Sequence, residues 1–167
     1  MKRLIWLLLG CVPVCGLQAA EEFTSTQTWL HLNGYSHHFA APDAKSFLWG
    51  VGVTRYTRTY GPVLRSWEGD LFSDSGGKPS AYVGHTWTIP TRLLSFGATG
   101  ALMYHRNFEE QIRCGVLPVV LPFAETRGQR LKFRIYYVPP VRRATDEQLA
   151  VQMMLPWSGG SYARHLP

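Results

Sequence analysis

The sequence predicts an all-β fold, an eight-stranded antiparallel up-and-down transmembrane β-barrel, exported behind a signal peptide. Three observations predict it. After its first twenty residues the chain reads as short alternating runs separated by turn signals, with no long helical periodicity. Those runs number eight, an even count, and each is near the roughly 9–11 residues that a tilted membrane strand requires. Trp29, Trp49, Trp67, Trp87 and Trp157 are spread along the chain beside tyrosines, as in the aromatic girdles of an outer-membrane barrel.

Residues 1–20 are expected to be a secretory signal and residues 21–167 the barrel domain. Lys2 and Arg3 form a basic start, residues 4–14 an apolar run, and Leu17-Gln18-Ala19-Ala20 a small-residue cleavage site. The apolar run is too short to anchor the chain, because a spanning helix needs about 20 apolar residues. Cleavage removes Cys11 and Cys15 and leaves Cys114, so no internal disulfide is expected. A formal charge of +6 suits phosphate-bearing partners. Export to the cell outer membrane favours anionic lipid over nucleic acid.

The expected strands are 28–38, 47–58, 63–73, 80–88, 94–105, 114–121, 131–138 and 148–157. With the amino terminus in the periplasm, the outward connections are residues 39–46, 74–79, 106–113 and 139–147. These carry more charge than the inward turns, which are shorter, as such barrels usually have them. Closure removes the sheet edges that lipid cannot satisfy. A soluble lipocalin-like barrel has a similar strand count. Small residues on one parity at Gly50-Val51-Gly52-Val53 and across residues 96–101 suit a narrow barrel in either setting.

Hairpin counting gives heights. A first loop centred near Asp43 puts His37 and His38 across from Trp49 and Leu48. A first turn centred near Gly61 puts Asp74 and Ser75 across from Leu48 and Phe47. His37 and His38 are then level with Asp74 and Ser75 at the outer rim, two strand spacings of about 4.8 Å away. His31 falls opposite Arg55, far toward the periplasm. A histidine near a serine can activate it as a nucleophile, with a carboxylate orienting the imidazole. The histidine can also act as general base on an acceptor hydroxyl. Asp74-Ser75-Gly76-Gly77 is equally an ordinary turn sequence.

The run Phe72-Ser73-Asp74-Ser75 with Val83-Gly84-His85-Thr86-Trp87 resembles the loop and following strand of the PagP family, the lipid A palmitoyltransferases. Leu48-Trp49-Gly50-Val51-Gly52, Leu117-Pro118-Val119-Val120-Leu121-Pro122 and Tyr137-Val138-Pro139 resemble further family motifs, in family order. The resemblance implies a cofactor-free, metal-free enzyme that moves palmitate, or a similar chain, from a phospholipid to lipid A, acting as a monomer. The family's Asp-Ser carries over to Asp74 and Ser75. Its histidine falls on His31 in an ungapped register, which the heights reject in favour of His38, then His37. The family admits lipid sideways where prolines interrupt the ladder, since proline has no N–H to donate. Pro118 or Pro122 with Pro139 would flank such a gap, whereas Leu48 replaces the proline of the second. The family's amphipathic first helix is absent here. The glycine flooring its acyl pocket corresponds to Thr86, which implies a shorter accepted chain.

Three functions follow as expectations: a lipid A acyltransferase, a deacylase of the same lipid, or a non-enzymatic surface barrel in which Asp74-Ser75 is only a turn. For the first, Lys78, Arg106, Arg113, Arg142 and Arg143 would grip lipid A phosphates, arginine offering bidentate contacts. Basic loops also simply suit an anionic outer leaflet. No spaced Cys/His cluster or phosphate-cradling Gly-rich loop is present.

Overall fold

The computed structural model describes residues 27–39, 46–60, 62–105, 114–140 and 147–157. The expected signal segment lies outside these residues, as do Arg106, Arg113, Arg142 and Arg143. The described chain forms eight strands: β1 (Thr28–His38), β2 (Phe47–Tyr60), β3 (Val63–Ser73), β4 (Pro79–Pro90), β5 (Leu94–His105), β6 (Val116–Thr126), β7 (Lys132–Val138) and β8 (Gln148–Pro156). Each pairs antiparallel with its sequence neighbour, and β8 closes onto β1. The fold is the expected all-β, up-and-down barrel of eight strands. One end carries the long connections and the other the short turns and the chain's strand termini.

Strand alternation decides which side chains fill the barrel. On β4, Ser80, Tyr82, Gly84, Thr86 and Thr88 are buried, while Val83, Trp87 and Ile89 are exposed. The exterior is apolar along its middle, with Leu32, Val51, Leu71, Val83, Val120 and Ile135 all exposed. Trp49 lies near the long-loop end, and Trp67, Trp87 and Trp157 lie toward the turn end. Trp29 departs from the expected girdle. It is 1% exposed and packs inside with Tyr56 and Met154, because its parity on β1 points inward.

The interior has three layers. Tyr82, Met103, Leu121, Phe123 and Tyr136 form an apolar cluster toward the long-loop end. Trp29, Tyr56 and Met154 close the turn end. Between them lies a buried polar network. Arg134 bonds Glu68 at 2.6 Å and Glu125 at 2.5 Å, and Lys132 reaches Glu125 at 3.1 Å. Tyr136 donates to Glu68 at 2.6 Å, and Thr99 donates to Glu68 at 2.8 Å. Buried charges persist only when paired and hydrogen-bonded, a condition this layer meets on several sides.

Strand boundaries differ from expectation mainly at prolines. The sixth strand is expected over residues 114–121. It runs on to Thr126, and Ala98 of β5 pairs across from Pro122. A strand tolerates proline where the missing donor faces no partner, and β6 has such a side. All eleven of its residues pair with β5, but only Phe123, Ala124 and Glu125 pair with β7. β4 likewise takes in Pro79 and Pro90 at its two ends.

The register of the first hairpin also differs. Tyr35 pairs with Phe47, which centres the loop at residue 41, midway between 35 and 47, and not near Asp43. A bulge between Asn33 and Tyr35 shifts the ladder, and the outer part of β1 continues along β8, with His38 across from Gln148. His31 consequently pairs with Gly52; Arg55 pairs with Thr28.

Candidate active site at the long-loop end

A cavity of about 160 Å3 opens at the long-loop end. Its walls are apolar: Leu48, Phe72, Met103, Leu121 and Val138 contribute. It closes downward on Tyr82, Tyr136 and Gln152. Gln152 donates to Asp70 at 2.9 Å and Tyr136 to Glu68, so the floor is tied to the polar layer beneath. The rim is polar. His38, Asp74, Ser75 and His105 all line the same space.

Asp74 follows the last residue of β3 and is 5% exposed. The turn holds it. Lys78 N–H donates to Asp74 Oδ1 at 2.7 Å, Asp74 N–H donates to the Lys78 carbonyl at 2.8 Å, and Gly77 N–H donates to the Asp74 carbonyl at 2.9 Å. Gly77 takes a φ of 79°, the left-handed region that glycine enters without a steric penalty. The Asp-Ser-Gly-Gly sequence is therefore an Asx-capped turn that also faces a cavity. The second carboxylate oxygen, Oδ2, lies 3.2 Å from Nε2 of His105, the last residue of β5.

His38 and His37 separate. His38 is half-buried at the cavity, its Nε2 3.3 Å from the Ser36 hydroxyl. His37 is exposed, lies edge-on to Phe39 at 5.1 Å between ring centroids, and is not among the cavity-lining residues. The level expected for the pair is also corrected. The β2–β3 register carries Asp74 to the height of Leu48, next to the Gly34–Tyr35 bulge on β1. His38 lies three residues beyond Tyr35, further out, and reaches the cavity from the rim.

His31 is fully buried, with Nε2 2.5 Å from the Thr54 hydroxyl and Nδ1 3.3 Å from Asp70. It belongs to the polar layer, not to the rim. Thr86 does not floor the cavity. Its hydroxyl is fully buried and bonds Thr99 at 2.9 Å, beneath the Tyr136 hydroxyl that Thr99 also contacts at 3.4 Å. Pro118 and Pro122 are exposed on β6, along its side facing β7, and Pro139 follows the end of β7. All three stand along the length where the β6–β7 ladder is missing. Lys78 lines the turn beside Asp74.

Sequence reasoning missed His105. The signal was available: the tight turn at residues 91–93 sets Ser80 across from His105, and Phe72 across from Ser80. That register puts His105 next to the Asp74 turn. Among the described residues, no group of three His, Cys, Asp or Glu side chains is arranged to hold a metal ion.

The arrangement can do general acid–base and nucleophilic chemistry on a ligand whose apolar portion enters the barrel and whose polar portion stays at the mouth. No protein-family model and no curated protein sequence matches this chain.

Proposed function

We propose that this chain is an outer-membrane acyltransferase of the PagP type, moving an acyl chain from a phospholipid to lipid A. One observation carries the reading: His38, Asp74 and Ser75 line a single cavity with apolar walls, open at the barrel mouth. An acyl chain would lie against Leu48, Met103 and Leu121. Its ester would sit at the rim, where imidazole and hydroxyl groups converge.

Further support comes from the barrel wall. The apolar exterior band suits hydrocarbon as its surroundings, since lipid-facing positions of such barrels are apolar and alternate with the interior. The β6–β7 seam supports sideways entry of a lipid tail, with Pro118, Pro122 and Pro139 leaving donors absent along it. The floor formed by Tyr136 and Gln152, with charged groups below it, favours a short acyl chain over palmitate. In the chemical step a base at the rim takes the proton of the lipid A hydroxyl, which attacks the ester carbonyl. The lysophospholipid alkoxide leaves with that proton.

The test is mass spectrometry of lipid A from cells with an outer membrane, with and without this gene. A product heavier by one acyl group is expected, and its loss in Ser75→Ala and Asp74→Asn variants that still insert as folded barrels. A lighter lipid A would instead mean deacylation. Unchanged lipid A would mean a non-enzymatic barrel.

A further inference from the structure

The Asp74 carboxylate meets neighbours on two sides. The turn grips Oδ1 through the Lys78 N–H, and that grip is local, four residues away in sequence. Oδ2 is approached from another strand, by His105 Nε2 at 3.2 Å. His105 is itself fixed. It is 8% exposed, pairs with Ser80, and donates its backbone N–H to the Gly115 carbonyl at 3.0 Å. Gly115 has a φ of 64°, in the left-handed region that glycine enters without a steric penalty. The imidazole thus projects toward Oδ2 from the end of a paired strand.

We infer that His105 is a positioning residue for Asp74: its ring, with Nε2 3.2 Å from Oδ2, sits against the carboxylate that faces the cavity beside Ser75 and sets its plane. The assignment deepens the acyl-transfer reading and rests on it for its kinetic consequence. The pairing itself does not. His38 is held through Ser36, so the two histidines at the mouth have different jobs.

The experiment uses the full-length protein, refolded in dodecylphosphocholine micelles, as wild type, His105→Ala, His105→Gln, Asp74→Asn and the Asp74→Asn/His105→Ala double variant. Folding is checked by circular dichroism and heat-shifted gel mobility. Transfer is followed from a phosphatidylcholine to lipid A. His105→Ala should lower kcat by roughly 10²-fold, the scale of a misplaced catalytic group, with KM little changed. Gln carries an N–H at about the reach of Nε2 and should restore most of the rate. The double variant should be no slower than Asp74→Asn alone, because the two groups act as a unit. Equal loss in the Ala and Gln variants, or losses that multiply in the double variant, would overturn the assignment. The 15N imidazole resonances of His105, identified by their absence in His105→Gln, should move in Asp74→Asn while those of His38 stay. Unmoved His105 resonances overturn the pairing even if the wild type transfers no acyl chain, an outcome that would itself sink only the acyl-transfer reading.

Discussion

His31 of β1 and Asp70 of β3 meet inside the barrel across the strand between them, Nδ1 to Oδ2 at 3.3 Å, because β2 has Gly52 at that rung. A Cβ at Gly52 would lie 2.6 Å from the Asp70 carboxylate and 2.5 Å from the Gly69 carbonyl. The contact is made possible by a missing side chain. It fixes His31 as part of the polar layer that separates the mouth cavity from the turn end.

Gly52→Ala should therefore disturb the layer and, through Asp70, the floor of the cavity above it. The methyl group must displace Asp70, which also accepts from Asn33 at 2.7 Å and from Gln152. Overpacking of this kind costs about 1–3 kcal/mol, and loosened polar partners add to it. Urea unfolding in micelles should show a lower midpoint. A midpoint at or above wild type would show that the close packing at Gly52 does not constrain the layer.

Arg134 is the neutralising centre of the same layer, fully buried between Glu68 and Glu125. Arg134→Met leaves two carboxylates facing each other, with only Lys132 near Glu125. Removing one partner of a buried pair destabilises by about 3–5 kcal/mol. A triple variant that also carries Glu68→Gln and Glu125→Gln should recover much of that loss in the same unfolding assay. If the triple variant is no better than Arg134→Met, charge pairing is not what the arginine supplies.

Strand count, order and closure were legible because alternation and turn residues are local signals. The ends of β1, β3 and β5 fall where the sequence puts them. Heights were less legible. The first loop centres at residue 41 and not near Asp43, the bulge between Asn33 and Tyr35 shifts the β1–β2 register by one residue more, and nothing local in Asn33-Gly34-Tyr35 announces it. The same limit explains the site. Asp74 and Ser75 reach the mouth whatever the β1 register, because they directly follow β3. The choice between His37 and His38 turns on side-chain parity at a strand end. His105 required two hairpin registers to be chained. The polar layer was out of reach, since Glu68, Glu125 and Arg134 come from three strands and nothing local in the sequence pairs them.

Parity at that strand end makes a direct prediction. His38→Ala should cut acyl transfer by the 10²–10⁴-fold range typical of a lost general base. His37→Ala should leave the rate near wild type, because that ring lies outside the cavity against Phe39. Radiolabelled acyl transfer in mixed micelles reads both. A reversed order would place the working imidazole on the other side of β1.

The exterior predicts its own surroundings. Val51 and Val120 are exposed at 55% and 62% on opposite walls of the barrel. If hydrocarbon covers both, Val51→Arg should destabilise by ~2–4 kcal/mol near the bilayer midplane, measured by reversible unfolding in phospholipid vesicles. In water an exposed valine replaced by arginine changes stability by no more than about 0.5 kcal/mol, so a small effect in vesicles would remove the membrane from the argument.

The seam gives the last prediction. β6 presents prolines at 118 and 122 to a neighbour with which it shares only three rungs, while its β5 side is fully paired. Replacing both prolines with valine supplies the missing donors and the β-branched side chains that strands favour. The ladder should then extend past Phe123–Tyr136, which amide hydrogen exchange would register as new protection at residues 118 and 122. If lipid enters through this seam, closing it should slow transfer from vesicle-borne phospholipid much more than transfer from a short-chain donor that can enter through the mouth. Equal slowing of both donors would mean that the prolines serve the site in another way. No slowing, with the new protection present, would mean that substrate reaches the cavity from above.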